Sequence, residues 1–263
     1  IAHRAAVHAV AFAPTGHDLI TGSIDGSVLI TADGREPIAL PPMPGGIDAV
    51  AILADGRVVV ADASNRLRIM DRGRSTVVAE LASPFRVRSL RPSPDGARMI
   101  ALSTRAIQAP PALWDLERYR LLRRLEGHIG RVFAARFATS GHGIVTAGSD
   151  GTVRLWDAGN GDLRRTYRGD WHFLADATLS PDGAIVVAGS SDGLLRFWDA
   201  SSARLLWTLQ AHKSYVVGVH YEGSDIVTRS LAGEIARWTL PPSQRIVEAC
   251  HQTTCASAVL TEM

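Results

Sequence analysis

Lysine is almost absent from this chain. Lys213 is the only one, although basic and acidic residues number 28 and 26. The cations are therefore arginines, a bias we ascribe to the genome and not to chemistry. The formal charge of +2 carries no block of one sign, so the large clustered basic footprint of a dedicated nucleic-acid binder is missing. Cysteine is scarce as well. Two in 263 residues exclude a disulfide-built secreted scaffold. No apolar run approaches the roughly 20 residues of a spanning helix, and Ile1-Ala2-His3-Arg4 is not a signal peptide. There is no initial Met, so the chain is expected to be part of something longer. Neither a Gly-x-Ser-x-Gly nucleophile elbow nor a Gly-x-x-x-x-Gly-Lys phosphate loop occurs. Cys250, His251 and Cys255 lack the second ligand pair of structural zinc and the Cys-x-x-Cys redox spacing, so the two cysteines read as free thiols near a C-terminal helix. No cofactor or metal is expected.

What is present is repetition. The chain is 46% hydrophobic, enough for a core, and its 24 glycines punctuate short apolar runs. Turn glycines at Gly16, Gly56, Gly96, Gly141, Gly183 and Gly223 are spaced by 40, 40, 45, 42 and 40 residues. A second series, Thr31, Met70, Trp114, Trp156, Trp198 and Trp238, is spaced by 39, 44, 42, 42 and 40. Two independent markers thus give six copies of one period. Within the fourth copy, alternation over residues 132–137 is followed by three more runs, 143–147, 152–157 and 163–167. Asp150-Gly151 stands between the second and third, a strong hairpin signal that predicts a type I′ turn. Four short strands per 40–45 residues predict propeller blades. The expected fold is all-β, a single β-propeller of four-stranded antiparallel blades over residues 1–240. The repeats are placed at about 1–42, 43–81, 82–125, 126–167, 168–209 and 210–240. Residues 241–263 read as a partly helical tail. Pro110 and Pro111 put the stretch Gln108–Pro111 in a loop between the second and third strands of the third copy.

Gly127-His128 followed by Thr146-Ala147-Gly148-Ser149-Asp150-Gly151-Thr152-Val153-Arg154-Leu155-Trp156-Asp157 closely resembles the WD-repeat (WD40) motif. Gly189 to Asp199 is similar, the third copy keeps Leu113-Trp114-Asp115, and the sixth keeps Ala211-His212 and Trp238. Copies one and two are worn. Seven blades are usual in that family, so upstream sequence could supply one more. The resemblance implies a buried hydrogen-bonded set of His, Ser or Thr, Asp and Trp in each blade. The fourth copy has it complete in His128, Thr146, Asp150 and Trp156. The first has His3, Thr21 and Asp25 without Trp. The fifth has Asp192 and Trp198, with Ala188 at the hydroxyl position. The sixth has His212, Thr228 and Trp238, with Ala232 in place of Asp. On this reading Asp150→Ala should cost about 2 kcal/mol, and Asp192→Ala less, because its network is already short.

The function implied is non-catalytic. His, hydroxyl and Asp recur at blade period between strands, which is structure and not a hydrolase triad. The family resemblance points to a protein or peptide partner bound by the loops at one end of the blades. Phe85, Arg86, Ile129, Arg131, Trp171 and Tyr215 are the candidates, with the Gln108–Pro111 loop, and Phe173, Tyr221 and Trp207 are further aromatics of interest. Arg68, Arg154 and Arg196, each two residues before the repeat's Met or Trp, read as side chains snorkelling over a blade face and less readily as a binding surface. The tail resembles that of bacterial multidomain WD-repeat proteins, in which the propeller follows a nucleotide-switch, kinase or protease module. This implies a cytoplasmic sensor or scaffold domain of a larger signalling or defence protein, with no membrane. An enzyme on the same architecture is the alternative, and a nucleic-acid-binding propeller the second. Pro241-Pro242 ends the sixth copy after its third strand. Only Arg245–Glu248 could follow as an outer strand, so the closing strand is expected upstream of Ile1 and the sixth blade is expected to fray.

Overall fold

A computed structural model of the chain describes residues 2–14, 18–32, 35–103, 109–170 and 172–240. Among the described residues all regular structure is strand. The chain divides into two compact units, up to Arg124 and from Leu125 onward. The first unit holds three four-stranded antiparallel sheets. They are β1–β4 (Val7–Phe12, Leu19–Ser23, Val28–Thr31, Ile38–Leu40), β5–β8 (Ile47–Ile52, Val58–Asp62, Arg66–Asp71, Thr76–Ala82) and β9–β12 (Ser89–Pro92, Arg98–Leu102, Ala112–Asp115, Arg120–Arg124). The second unit holds β13–β16 (Val132–Phe137, Gly143–Gly148, Thr152–Asp157, Leu163–Arg168) and β17–β20 (Leu174–Leu179, Ile185–Ser190, Leu194–Asp199, Leu205–Gln210). Its last sheet has three described strands, β21–β23 (Val216–Glu222, Asp225–Ser230, Ile235–Trp238). Each sheet is a meander in chain order, the form of a β-propeller blade. Ala109–Pro111 lies between β10 and β11 outside any strand, because proline cannot donate to a ladder.

Burial explains why blades stack. The middle strands of a blade are apolar on both faces, and a single sheet would leave one face wet. In the first unit, Val50, Ile52, Val58 and Val60 pack against Ile20, Val28 and Ile30, while Ala49, Ala51, Val59 and Ile69 pack against Leu90, Met99 and Trp114. The second unit repeats this around β17–β20. Val186, Ala188 and Trp198 face Val145, Val153 and Tyr167, and Leu195, Phe197 and Trp207 face Val216, Val219 and Ile226. A bulge recurs at the start of five first strands, at residues 7/9, 47/49, 132/134, 174/176 and 216/218. Such a bulge bends the strand and increases its local twist.

The hairpin turn differs from the one expected. Gly151 N–H donates to Gly148 C=O at 3.3 Å, so residues 148–151 form the turn and only Gly151 takes positive φ, at 69°. This is a three-residue loop, not a two-residue type I′ turn. The reason is the carboxylate: Asp150 keeps negative φ and its Oδ1 accepts the Thr152 N–H at 3.1 Å. In the second blade Asn65 holds the left-handed position, at φ 62°.

In the sixth blade β23 pairs with β22 alone among the described residues, and Ile235 is 73% exposed. The candidate outer strand Arg245–Glu248, the two cysteines and the tail expected to be helical lie outside the described residues.

Candidate functional site

The fourth blade brings His128, Thr146, Asp150 and Trp156 together. Trp156 Nε1–H donates to Thr146 Oγ1 at 2.9 Å, Thr146 Oγ1 lies 2.7 Å from His128 Nε2, and His128 Nδ1 lies 3.0 Å from both oxygens of Asp150. One direction of donation satisfies every atom: indole to hydroxyl, hydroxyl to imidazole, imidazole N–H to carboxylate. Asp150 also accepts Ile129 N–H at 3.0 Å and the Thr152 hydroxyl at 2.8 Å. Burial alone would raise the Asp150 pKa. The bonds from His128, Ile129 and Thr152 outweigh it and hold the carboxyl well below the usual range.

The sixth blade solves the same problem with a different acid. His212 Nε2 lies 2.8 Å from Thr228 Oγ1, which accepts Trp238 Nε1–H at 3.0 Å, and His212 Nδ1 lies 3.1 Å from Glu234 Oε2. Ala232 does not leave the set short, because glutamate two residues later is one methylene longer and reaches back. The legible signal was an acid directly after Gly233. In the first blade His3 bonds Thr21 at 2.7 Å, but its other nitrogen bonds Ser27 Oγ at 2.6 Å, and Ser27 passes the link to Asp25.

The fifth blade overturns the reading of Arg196. This side chain is 1% exposed, and its guanidinium donates to Asp192 Oδ2 at 2.6 Å and Asp170 Oδ2 at 2.9 Å. Asp170 stands forty-two residues after His128, so an acid occupies the His position and arginine fills the space that Ala188 vacates. His172 approaches Asp192 only to 3.9 Å. Trp198 Nε1–H donates to Arg168 C=O at 3.2 Å instead of to a hydroxyl. Arg68 behaves likewise, bonding Asp62 at 2.9 Å and Glu80 at 2.8 Å in the second blade. Neither arginine snorkels, because each finds two carboxylates inside its own blade. Arg154 is half-buried and its Nε has no partner among the described residues.

The third blade is deficient. Trp114 is buried with no acceptor for its N–H among the described residues, because Ala101 stands where the fourth blade has Thr146. Trp114→Phe should therefore lose only apolar area, about 1 kcal/mol. Trp156→Phe should lose about 1 kcal/mol more, because it also strips a donor from Thr146. Thermal melts of the two variants compare them, and equal shifts would contradict this account.

Two further acids were not singled out from sequence. Asp176 is buried in β17, takes Arg136 Nε–H of β13 at 2.9 Å and accepts Val219 N–H of β21 at 3.0 Å, so it ties three blades. Asp48 in β5 binds Arg86 and Arg88, at 3.0 and 2.8 Å. An acid inside an apolar first strand was the available signal.

Comparison with known proteins places this pattern. Residues 1–30, 119–157 and 161–199 match the sequence profile of the WD domain, G-beta repeat. Those three stretches are similar to WD repeats. Each stretch matched from residue 119 on starts just before the outer strand of one blade and ends with the third strand of the next. No curated protein matches the chain. Among solved structures it is similar to the computationally designed Ika8 protein, with a TM-score of 0.74 at 22% identity over 90% of this chain and 72% of that one. That likeness speaks for the fold alone.

The candidate partner-binding residues separate in the structure. Phe85 is buried beside Val87 and Leu90, held by a turn in which Ser83 Oγ–H donates to Phe85 C=O at 2.7 Å. Arg86 is committed to Asp48. Trp207 is buried and stacks on Phe197 at 4.0 Å, and Tyr221 is half-buried, its hydroxyl pKa pushed up by burial. Trp171 and Gln108 lie outside the described residues. Ile129 is 78% and Tyr215 45% exposed. Tyr215 meets Phe173 at 5.6 Å, Phe173 meets Phe133 at 5.4 Å, and the Arg131 guanidinium lies 6.0 Å from the Phe133 ring centre. Phe133 was not singled out from sequence.

Proposed function

We propose that this chain is a non-catalytic protein-interaction domain, displayed as a sensor or scaffold by a larger cytoplasmic signalling or defence protein. The observation that carries the reading is the row Arg131–Phe133–Phe173–Tyr215, with Ile129 beside it, which crosses three blades of the second unit at their loop end. Rigid sheets fix such a row at low entropic cost to the binder. A catalytic use of His128 and Asp150 has the chemistry against it. Thr146 is fully buried and already takes the Trp156 N–H, so no substrate reaches it. The tail's resemblance to bacterial multidomain proteins supports the larger context.

The test pairs a binding assay with an activity assay. Selection of a random peptide display library on the purified chain should yield saturable binders. Ester, phosphate and glycoside reporter substrates should not turn over, with or without added divalent metal. Failure to enrich any peptide, or turnover abolished by one substitution that leaves the fold intact, would overturn the reading.

A further inference from the structure

We propose that the loop end of the second unit binds an acidic peptide segment of a partner protein. One large apolar side chain of that segment sits on Phe133, Phe173 and Tyr215, and its carboxylates meet Arg131, Arg154, Arg168 and Lys213. The inference rests on the protein-binding reading above and gives it a site and a ligand class.

The row is built by the repeat. Arg131, Phe173 and Tyr215 stand forty-two residues apart at one position, just before the first strands of three successive blades, and Phe133 fills the gap between the first two. Phe133 and Phe173 are half-buried, so each ring is held by its neighbours and is ordered before a ligand arrives.

Charge then selects the ligand. The acids at this end are engaged within the blades: Asp150 by His128 and Ile129 N–H, Asp170 and Asp192 by Arg196, and Glu234 by His212. Glu126 also has a partner. The cations are not engaged in this way. Among the described residues the Arg131 guanidinium meets the Phe133 ring and no carboxylate. Exposed Lys213 and Arg168 have no carboxylate partner among the described residues. Arg154 leans on the loop before β13, so close that a Cβ on Gly127 would lie 2.1 Å from its Nη1. Arg154 is attracted by Asp150 and repelled by Arg168, and Asp150 also takes hydrogen bonds from His128 and Ile129 N–H. A carboxylate arriving between the two arginines relieves that repulsion. The result is an apolar row edged by exposed cationic side chains, Arg131, Arg168 and Lys213, that have no carboxylate partner among the described residues.

The rings argue for peptide over nucleic acid. They pack tilted and edge-to-face at 45° and 85°, so no set of parallel ring faces stands open for successive bases.

The test uses the full chain. Peptides enriched from the random library are synthesised with a fluorophore and titrated by polarisation, beside a labelled 20-mer of oligo-dT. The pool should be rich in Asp and Glu around Trp, Phe or Leu. Tyr215→Ala and Arg131→Glu should each weaken binding at least tenfold, Lys213→Glu at least threefold, and added salt should weaken it further. The control Val77→Ala, on the exposed outer strand β8 of the first unit, should change nothing. Melting curves establish that each variant is folded. Peptides of basic or neutral composition would overturn the inference, as would binding that none of the three substitutions alters, although the protein-binding reading would survive either result. Oligo-dT binding tighter than the acidic peptides would overturn it in favour of nucleic acid. Enrichment of no peptide would overturn both readings.

Discussion

Asp192→Ala is expected to destabilise the chain by about 3 kcal/mol, more than Asp150→Ala at about 2 kcal/mol. The order is the reverse of the one read from the sequence, and Arg196 is the reason. Removing Asp150 orphans neutral or weakly charged donors: His128 Nδ1–H, two backbone N–H groups and the Thr152 hydroxyl. Removing Asp192 strands a guanidinium buried to 1% exposure, whose Nε already lacks an acceptor among the described residues. Asp170 remains, but it is 72% exposed and its attraction is weakened by water. Breaking one side of a buried ion pair costs more than losing a neutral hydrogen bond. Adding Arg196→Met to Asp192→Ala should recover part of the loss, because the buried charge goes too. Urea melts of the four proteins measure this, and a smaller midpoint shift for Asp192→Ala than for Asp150→Ala would refute the argument.

Acid should act through the same group. Burial pushes the Asp192 pKa up, but the bonds from Arg196 and Leu194 N–H more than offset it and leave it at about 2. A carboxyl depressed below its unfolded value stabilises the fold above that value. The contribution, on the order of 2 kcal/mol, is full above about pH 4 and is lost as pH falls toward about 2. Asp192→Ala should flatten the acid limb of the stability curve across that window.

The period, the blade order and the fourth blade's four partners were legible because they depend on spacing and residue type at fixed positions. What escaped depends on reach. Glu234 serves a place two residues upstream because its side chain is long. Arg196 and Asp170 replace His and hydroxyl with a different chemistry in the same space, which spacing alone reads as a gap. Trp207 seemed free because it lies on an outer strand, yet it turns inward onto Phe197. Phe85 seemed to belong to a loop tip, but the turn at Ser83 folds it into the core. Of the six partner candidates, Ile129, Arg131 and Tyr215 lie on or beside the row. Their neighbour Phe133 was hidden, because its place in an alternating strand looked like ordinary core.

Two glycines that look alike in the sequence should respond very differently to alanine. Gly183 and Gly193 both follow an Asp and both have positive φ, 77° and 85°. An alanine at either pays for the left-handed conformation, on the order of 1 kcal/mol. Around Gly183 a Cβ would meet nothing within 4 Å, so that is the whole expected loss. At Gly193 the Cβ would lie 2.2 Å from the His212 carbonyl oxygen. That oxygen cannot retreat, because Ala211 N–H and His212 N–H both donate to the Gly193 C=O at 3.1 Å and clamp the two segments together. Any shift there also moves the His212 ring off Thr228 and Glu234, and so loosens the sixth blade. We therefore expect Gly193→Ala to cost about 3 kcal/mol or more, against about 1 kcal/mol for Gly183→Ala. Thermal melts of the two variants read the difference directly. The same contact recurs where the Gly151 Cβ would meet the Asp170 carbonyl oxygen at 2.6 Å, so Gly151→Ala should fall with Gly193→Ala and not with Gly183→Ala. Equal shifts at positions 183 and 193 would mean that the carbonyl gives way, and that the turn between the second and third strands of a blade does not fix the approach of the next blade.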